Sequence, residues 1–248
     1  MSATIGCMAK PKKAAQPQNI IDDPREMAIA FAEDEMARFP ELWQYDYGRR
    51  PFFGYTQGVG GTSFLYLYRE TGDRRYFDYA EHWCDTLIND DGTIQLRAME
   101  IYNLDLIRGG WVVSEVYREL CEHPELVPDD EERMSRRYKY HRAMEGQLIR
   151  QLRNQPKTCD GGFWHKLVYP HQMWLDGQHM AIPFYLAYEM TYGPDEAALT
   201  DAARQLILAW QHTLNPKTGL PCHGYDEAKA QIWADPGTGR SAHAWGRA

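Results

Sequence analysis

His165-Lys166-Leu167-Val168-Tyr169-Pro170-His171-Gln172-Met173-Trp174-Leu175-Asp176-Gly177-Gln178-His179-Met180-Ala181-Ile182-Pro183-Phe184-Tyr185-Leu186-Ala187-Tyr188 is the stretch from which the fold can be read. Its first half gathers His165, His171, Asp176 and His179 among Trp164, Tyr169 and Trp174. Its second half, from Met180, is an apolar run with the spacing of a buried helix. Pro183 is expected near the first turn of that helix, where a missing N–H costs nothing. Asp176 then falls just before or within the first turn. A carboxylate there is either a helix cap or a site residue. The surrounding indoles and imidazoles, with Gly177 permitting close approach, favour a site.

Working outward, the N-terminal side divides into helices and breakers. Asp22-Asp23-Pro24 is a helix start, and the helix runs to Phe39, where Pro40 ends it. Further helices are expected over 59–69, 76–88, 104–120 and 131–153, the fourth of these strongly charged and so solvated on its outer face. Asn103 is a plausible cap for the helix carrying Asp105. Thr158–Trp164 reads as glycine-rich loop. After the 180–190 helix, a seventh spans 195–214, and the remainder is rich in turns. Strand signals are weak throughout.

A repeat links these segments. Tyr68-Arg69-Glu70-Thr71-Gly72-Asp73 ends one helix and turns into the next; Tyr188-Glu189-Met190-Thr191-Tyr192-Gly193-Pro194-Asp195 does the same, and Tyr117-Arg118-Glu119-Leu120 ends the helix between them. Each unit is an apolar helix, a short turn and an amphipathic helix. Self-similar helical hairpins of this kind build a solenoid or a toroid. The apolar helices (second, fourth, sixth) are expected inside and the charged ones outside. Tyr55, Asp105 and Asp176 all fall at the N-terminal ends of the inner helices, at one mouth of the ring.

Composition narrows the function. The 248 residues are 44% hydrophobic and 25% charged, with net charge -8. Basic residues cluster only at Lys10–Lys13, so nucleic acid is not an expected partner. No apolar run is long enough to span a membrane. Eight Trp and sixteen Tyr fit either a large helical core or a sugar-binding cleft. Five dispersed cysteines contain no C-x-x-C, and no histidine pair has metal-ligand spacing, so neither metal nor cofactor is expected. Residues 1–20 are small, basic and proline-containing, and are expected to be disordered. Thr4-Ile5-Gly6-Cys7 resembles the end of a lipoprotein signal without its apolar region. As written the chain is expected in the cytoplasm; with an upstream start and Cys7 as a lipobox cysteine it would be periplasmic or lipid-anchored.

Four separate motifs, in order, are similar to the unsaturated uronyl hydrolases, glycoside hydrolase families 88 and 105. They are Leu104-Asp105-Leu106-Ile107-Arg108-Gly109-Gly110; Trp164-His165-Lys166 with Tyr169-Pro170 and Gln172-Met173-Trp174-Leu175-Asp176-Gly177; Gly219-Leu220 with His223-Gly224-Tyr225-Asp226; and Trp233-Ala234-Asp235-Pro236 leading to Trp245-Gly246-Arg247-Ala248. The balance favours family 105, the unsaturated rhamnogalacturonyl hydrolases. The resemblance runs from about Asp22 to the last residue. It implies an all-α six-hairpin (α/α)6 barrel, of which residues 21–248 would be the N-terminal part: about seven helices where the family has twelve. It also implies removal of a Δ4,5-unsaturated uronic acid from lyase-generated pectin oligosaccharides by hydration of the double bond. Carried over, Asp176 is the general acid, Asp105 its partner, and Tyr55, His165, Lys166, Trp174, His223, Trp245 and Arg247 surround the substrate. Lys166 and Arg247 suit the uronate carboxylate. A neighbouring carboxylate would raise the pKa of the acid while a helix N-terminus would lower it, and the residues alone leave that balance open. His171 and His179 are expected to be structural. Competing readings are an epimerase or lyase on the same toroid, and a non-catalytic helical fragment that binds carbohydrate or protein. Oligomeric state is not legible.

Overall fold

The computed structural model describes residues 23–95 and 97–244. It is all-α apart from one short ribbon. The expectations for residues 1–20, Cys7, Trp245 and Arg247 lie outside the described residues.

Helix α1 (Pro24–Arg38) is capped by Asp23, whose side chain accepts from Arg25 N–H. Helix α2 (Tyr55–Thr71) ends at Gly72 in the left-handed region, φ 73°, where a Cβ would be strained and glycine is not. Asp73 then caps α3 (Arg74–Leu87) by accepting from Arg75 N–H. Asp195 caps α8 (Glu196–Thr213) in the same way, from Ala197 N–H. The two turns of the sequence repeat are thus the same device: a helix stop followed at once by an Asp cap. Helix α4 (Gly109–Glu122) follows a 3-10 turn over Leu104–Leu106. Helix α5 (Asp130–Ala143) opens with three acidic residues, which suit the positive end of the helix dipole. It continues through a π-helical turn, Met144–Ile149, into α6 (Arg150–Arg153).

Helix α7 (Leu175–Tyr192) starts five residues before the expected Met180. Pro183 is therefore inside the helix, not in its first turn. Buried packing on both sides holds the helix across it: Ile182 and Phe184 belong to the main core. The helix over 104–120 also differs from expectation, since Asp105 sits on the 3-10 turn and α4 begins only at Gly109.

The apolar helices α2, α4 and α7 pack side by side, with α3, α5 and α8 on their outer side. One core joins them through Phe64, Trp83, Val112, Val116, Tyr140 and Phe184. Arg–Glu pairs tie successive units: Arg69 Nε to Glu119 (2.5 Å), Arg136 to Glu81 (2.7 Å) and Arg153 to Glu189 (2.6 Å). Each glutamate is buried, so the arginine is what makes its burial tolerable. The two edges of the arc carry exposed apolar side chains. Met27, Phe31 and Val59 flank a groove along α1 and α2, and Leu186, Leu206, Ile207 and Trp210 mark α7 and α8.

The expectation of weak strand content needs one addition. β1 (Gln172–Trp174) pairs antiparallel with β2 (Gly224–Asp226), with Gln172 opposite Asp226 and Trp174 opposite Gly224. This ribbon stands immediately before α7 and lashes the C-terminal loops to its N-terminus.

Candidate active site

Asp105 sits on the 3-10 turn before α4 and Asp176 in the first turn of α7, and backbone pairing brings their surroundings together. Asn103 forms a bridge with Lys166, Leu104 N–H donates to His165 C=O (3.0 Å), and His165 N–H donates to Gln172 C=O (2.8 Å). The segment carrying His165 and Lys166 therefore lies between the Asp105 turn and the ribbon leading to Asp176. Asn103 does act as a cap, its side chain accepting from Asp105 N–H (3.0 Å).

Asp105 is clamped. His165 Nε2 lies 3.0 Å from one carboxylate oxygen and Lys166 Nζ 2.5 Å from the other. Burial works to raise its pKa, but these two contacts more than offset that, and the carboxyl stays below the ordinary range. His165 is itself buried. The Lys166 ammonium is thus engaged by Asp105 within the described residues.

Asp176 is in the first turn of α7 and is partly exposed. One of its oxygens lies 3.4 Å from His223 Nε2, longer than an ordinary hydrogen bond. His223 is held by the strand pairing: Leu175 N–H donates to its carbonyl (2.8 Å), and its own N–H donates to His243 C=O (3.1 Å). Its ring meets Trp174 edge-to-face at 4.8 Å and His243 at 5.6 Å. Burial pushes the His223 pKa down. Asp176 pulls it up, while His243 and His165 oppose that, and the result lies below the usual imidazole value.

Gly177 joins the two halves. A Cβ at this position would lie 2.7 Å from His165 Nδ1 and 3.2 Å from Leu104 Cδ1. Only glycine lets the first turn of α7 settle on the His165 ring that holds Asp105. The site is therefore a partly exposed carboxylate beside an aromatic–imidazole wall, near a half-buried carboxylate held below the ordinary range by His165 and Lys166.

The other expected residues sit elsewhere. Tyr55 is the first residue of α2 and lines the α1–α2 groove with Tyr45 and Asp46; no contact among the described residues joins it to either carboxylate. His171 is exposed, in the left-handed region at φ 65°, and lies 3.4 Å from Glu227. His179 lies on α7 with its ring partly shielded, and its pKa is lowered by that burial and then by Arg108. Trp233 was not singled out as a site residue, yet its ring packs on Trp174 at 4.9 Å. The motif that contains it was visible; what hid its place was the loop that folds residues 226–240 back over the ribbon. Among the described residues no group of three His, Cys, Asp or Glu is arranged to hold a metal ion, and no helix is long and apolar enough to cross a membrane.

Comparison with known proteins agrees with this architecture. The chain is 32% identical to a family 105 glycoside hydrolase of C. acetobutylicum ATCC 824, with a TM-score of 0.75 over 89% of this chain and 54% of that one. A possible family 105 member from Klebsiella pneumoniae shares the fold at 19% identity, TM-score 0.63, over 92% of this chain and 59% of that one. A 24.9 kDa protein in the picA locus of Rhizobium radiobacter is 42% identical over 69 residues, 28% of this chain and 29% of that protein. The chain spans about half the length of the family 105 structures and under a third of the curated relative. The model of Glycosyl Hydrolase Family 88 matches residues 27–248. With that match over most of its length, the chain belongs to Glycosyl Hydrolase Family 88.

Proposed function

We propose that this chain carries the catalytic carboxylates of a glycoside hydrolase that removes a Δ4,5-unsaturated uronic acid, of galacturonyl type, from lyase-generated pectin oligosaccharides. The observation that carries the reading is the contrast between the two carboxylates. Asp105 is fixed as an anion by His165 and Lys166, while Asp176 stands at the mouth beside His223 and Trp174. On this reading Asp105 is the charged partner and Asp176, the carboxylate open to the substrate, is the catalytic acid.

In the proposed reaction Asp176 gives its proton to C4 of the C4=C5 double bond. Positive charge develops at C5 and is shared by the ring oxygen. Water adds at C5 and returns a proton to the Asp176 carboxylate. The hemiketal then opens and frees the leaving sugar. Asp105 keeps a negative charge near the cationic intermediate without competing for the proton. The neutral His223 ring orients the Asp176 carboxyl, and the Trp174 edge excludes water from one side.

The test is ultraviolet loss. The conjugated uronate absorbs in the near ultraviolet, and hydration removes that absorbance. The protein should bleach an unsaturated digalacturonate. Asp176→Asn, which keeps shape but cannot cycle a proton, should lower turnover by ~10²–10⁴-fold with substrate binding largely kept. Near-parental turnover in that variant returns Asp176 to the role of a helix-terminal carboxylate.

A further inference from the structure

The C-terminal loops line an open cavity of about 470 Å³, bordered by Asn215, Lys217, Trp233, Asp235, Arg240 and Ser241 among others. That volume is within the usual range for small-molecule sites. It lies beyond the aromatic wall of the active site: His223 faces Asp176, Trp174 packs on His223, and Trp233 packs on Trp174. Gly224 lets the two indoles meet, since a Cβ there would lie 3.3 Å from each ring. Trp233 thus touches the active-site wall through Trp174 and also lines this cavity.

The charge of the cavity is out of keeping with the protein. The chain as a whole carries net charge -8. Neither Lys217 nor Arg240 forms an ion pair among the described residues. Arg240 is held from one side only, its Nε donating to His212 C=O (2.7 Å). The one carboxylate in the lining, Asp235, is folded into its own turn, where it accepts from Gly237 N–H (3.0 Å), Thr238 N–H (2.7 Å) and the Thr238 hydroxyl (2.9 Å). An indole with two unneutralised cations is the chemistry of an acidic sugar: the ring face takes the apolar C–H surface, and the cations take the carboxylate.

We propose that this cavity is a subsite for a uronate residue of the oligosaccharide, on the side of the chain that leaves. The assignment to the leaving side rests on the proposed hydrolase reading; the binding of an acidic sugar does not. The subsite adds affinity for longer acidic chains and discriminates against esterified or neutral ones. No contact among the described residues joins Lys217 or Arg240 to either carboxylate, so replacing these two leaves the basal reaction on the disaccharide unchanged.

The experiment has two arms. In the first, saturated trigalacturonate and its methyl ester are titrated into the protein and its variants by calorimetry. Replacing Lys217→Gln and Arg240→Gln together should weaken acid binding by about tenfold, the scale of a lost charged hydrogen bond. Ester binding should be unaffected. Trp233→Ala should weaken both ligands, and Trp233→Phe, which keeps a stacking face, should recover most of the loss. Equal affinity for acid and ester in the parent, or unchanged acid binding in the double variant, overturns the proposal. In the second arm, turnover of unsaturated di- and trigalacturonate is compared. The double variant should lower the trisaccharide-to-disaccharide ratio of kcat/KM; a constant ratio in an active protein overturns the subsite. No turnover of either substrate, together with charge-dependent binding of the saturated acid, supports the cavity and overturns the hydrolase reading instead.

Discussion

Gly177 offers a sharp test of how the site is assembled, because two opposing effects of known size meet at one atom. Replacing a helical glycine with alanine normally stabilises by up to about 1 kcal/mol, since the unfolded chain has less freedom to lose. At Gly177 the new Cβ would lie 2.7 Å from His165 Nδ1. The imidazole has nowhere to go: Nε2 is on Asp105 (3.0 Å), and the backbone on either side of the ring is bonded to Gln172 and Leu104. Overpacking against a fixed neighbour costs about 1–3 kcal/mol, so the net change is a loss of about 1 kcal/mol. For a domain of this size that lowers Tm by about 2–4 °C. Gly146, in the π-helical turn, is the control, because a Cβ there meets nothing within 4 Å. Gly146→Ala should raise Tm by about 1–4 °C on the propensity term alone. Thermal unfolding by circular dichroism compares the two directly. A Gly177→Ala protein that gains stability as Gly146→Ala does would show that α7 does not rest on the His165 ring, and the link between the two carboxylates would be gone.

Other expectations follow from charge. Arg69 serves buried Glu119 and Glu115 together, and Glu115 also has Arg118, so Arg69→Met leaves buried Glu119 without its arginine and should cost about 3 kcal/mol in a urea titration; a loss under about 1 kcal/mol would mean that water reaches it. Acid should act on the site in two stages. His223 has a lowered folded pKa, so as pH falls below about 6.5 the unfolded chain takes up a proton that the folded one resists, and stability declines from there. Asp105 also has a lowered pKa; its contribution is complete above about pH 4 and fades only as pH falls through its folded value. Replacing His223 with Gln should flatten the first stage and leave the second, as read by stability curves across pH.

Much of the fold was legible because it rests on local rules. Asp22-Asp23-Pro24 marks a helix start and Asn103 a cap within a short sequence window, and both act so in the structure, while the turn at Thr71-Gly72-Asp73 ends α2 as read. The failures are where tertiary contacts override the local signal. Leu175–His179 lacks an apolar stripe, yet α7 begins there because the ribbon and the His165 ring hold its first turn. Pro183 then falls within the helix. A three-residue ribbon is too short to leave a period-two pattern, and it pairs Gln172 with Asp226 across an entire helix pair. Within the candidate site, the residue types at Asp105, His165, Asp176 and His223 were legible as chemistry. Their partnerships were not, since nothing local says that His165 and Lys166, adjacent in the chain, take the two oxygens of one carboxylate.

That last contact changes what Lys166 is expected to do. Read from residue type, it suits the uronate carboxylate of the substrate, and its loss would then raise KM with kcat unchanged. In the structure its ammonium lies 2.5 Å from Asp105 Oδ2, and it is one of the two groups that hold Asp105 below the ordinary carboxylate range. Removing it as Lys166→Met leaves His165 alone against a mostly buried carboxylate, so the Asp105 pKa must rise. A rise matters only where Asp105 begins to protonate within the working range, and it would do so at the acid end. Under the proposed reaction, a protonated Asp105 no longer offsets the positive charge that develops at C5, and turnover falls there. The expected signature is therefore a fall in kcat that is steepest toward acid pH, with the acidic limb of the kcat profile moved upward and KM little changed. The profile of the unsaturated disaccharide between about pH 4 and pH 8 reads both quantities. A variant whose KM rises at every pH while its kcat profile stays in place would assign Lys166 to the substrate and leave Asp105 to His165 alone.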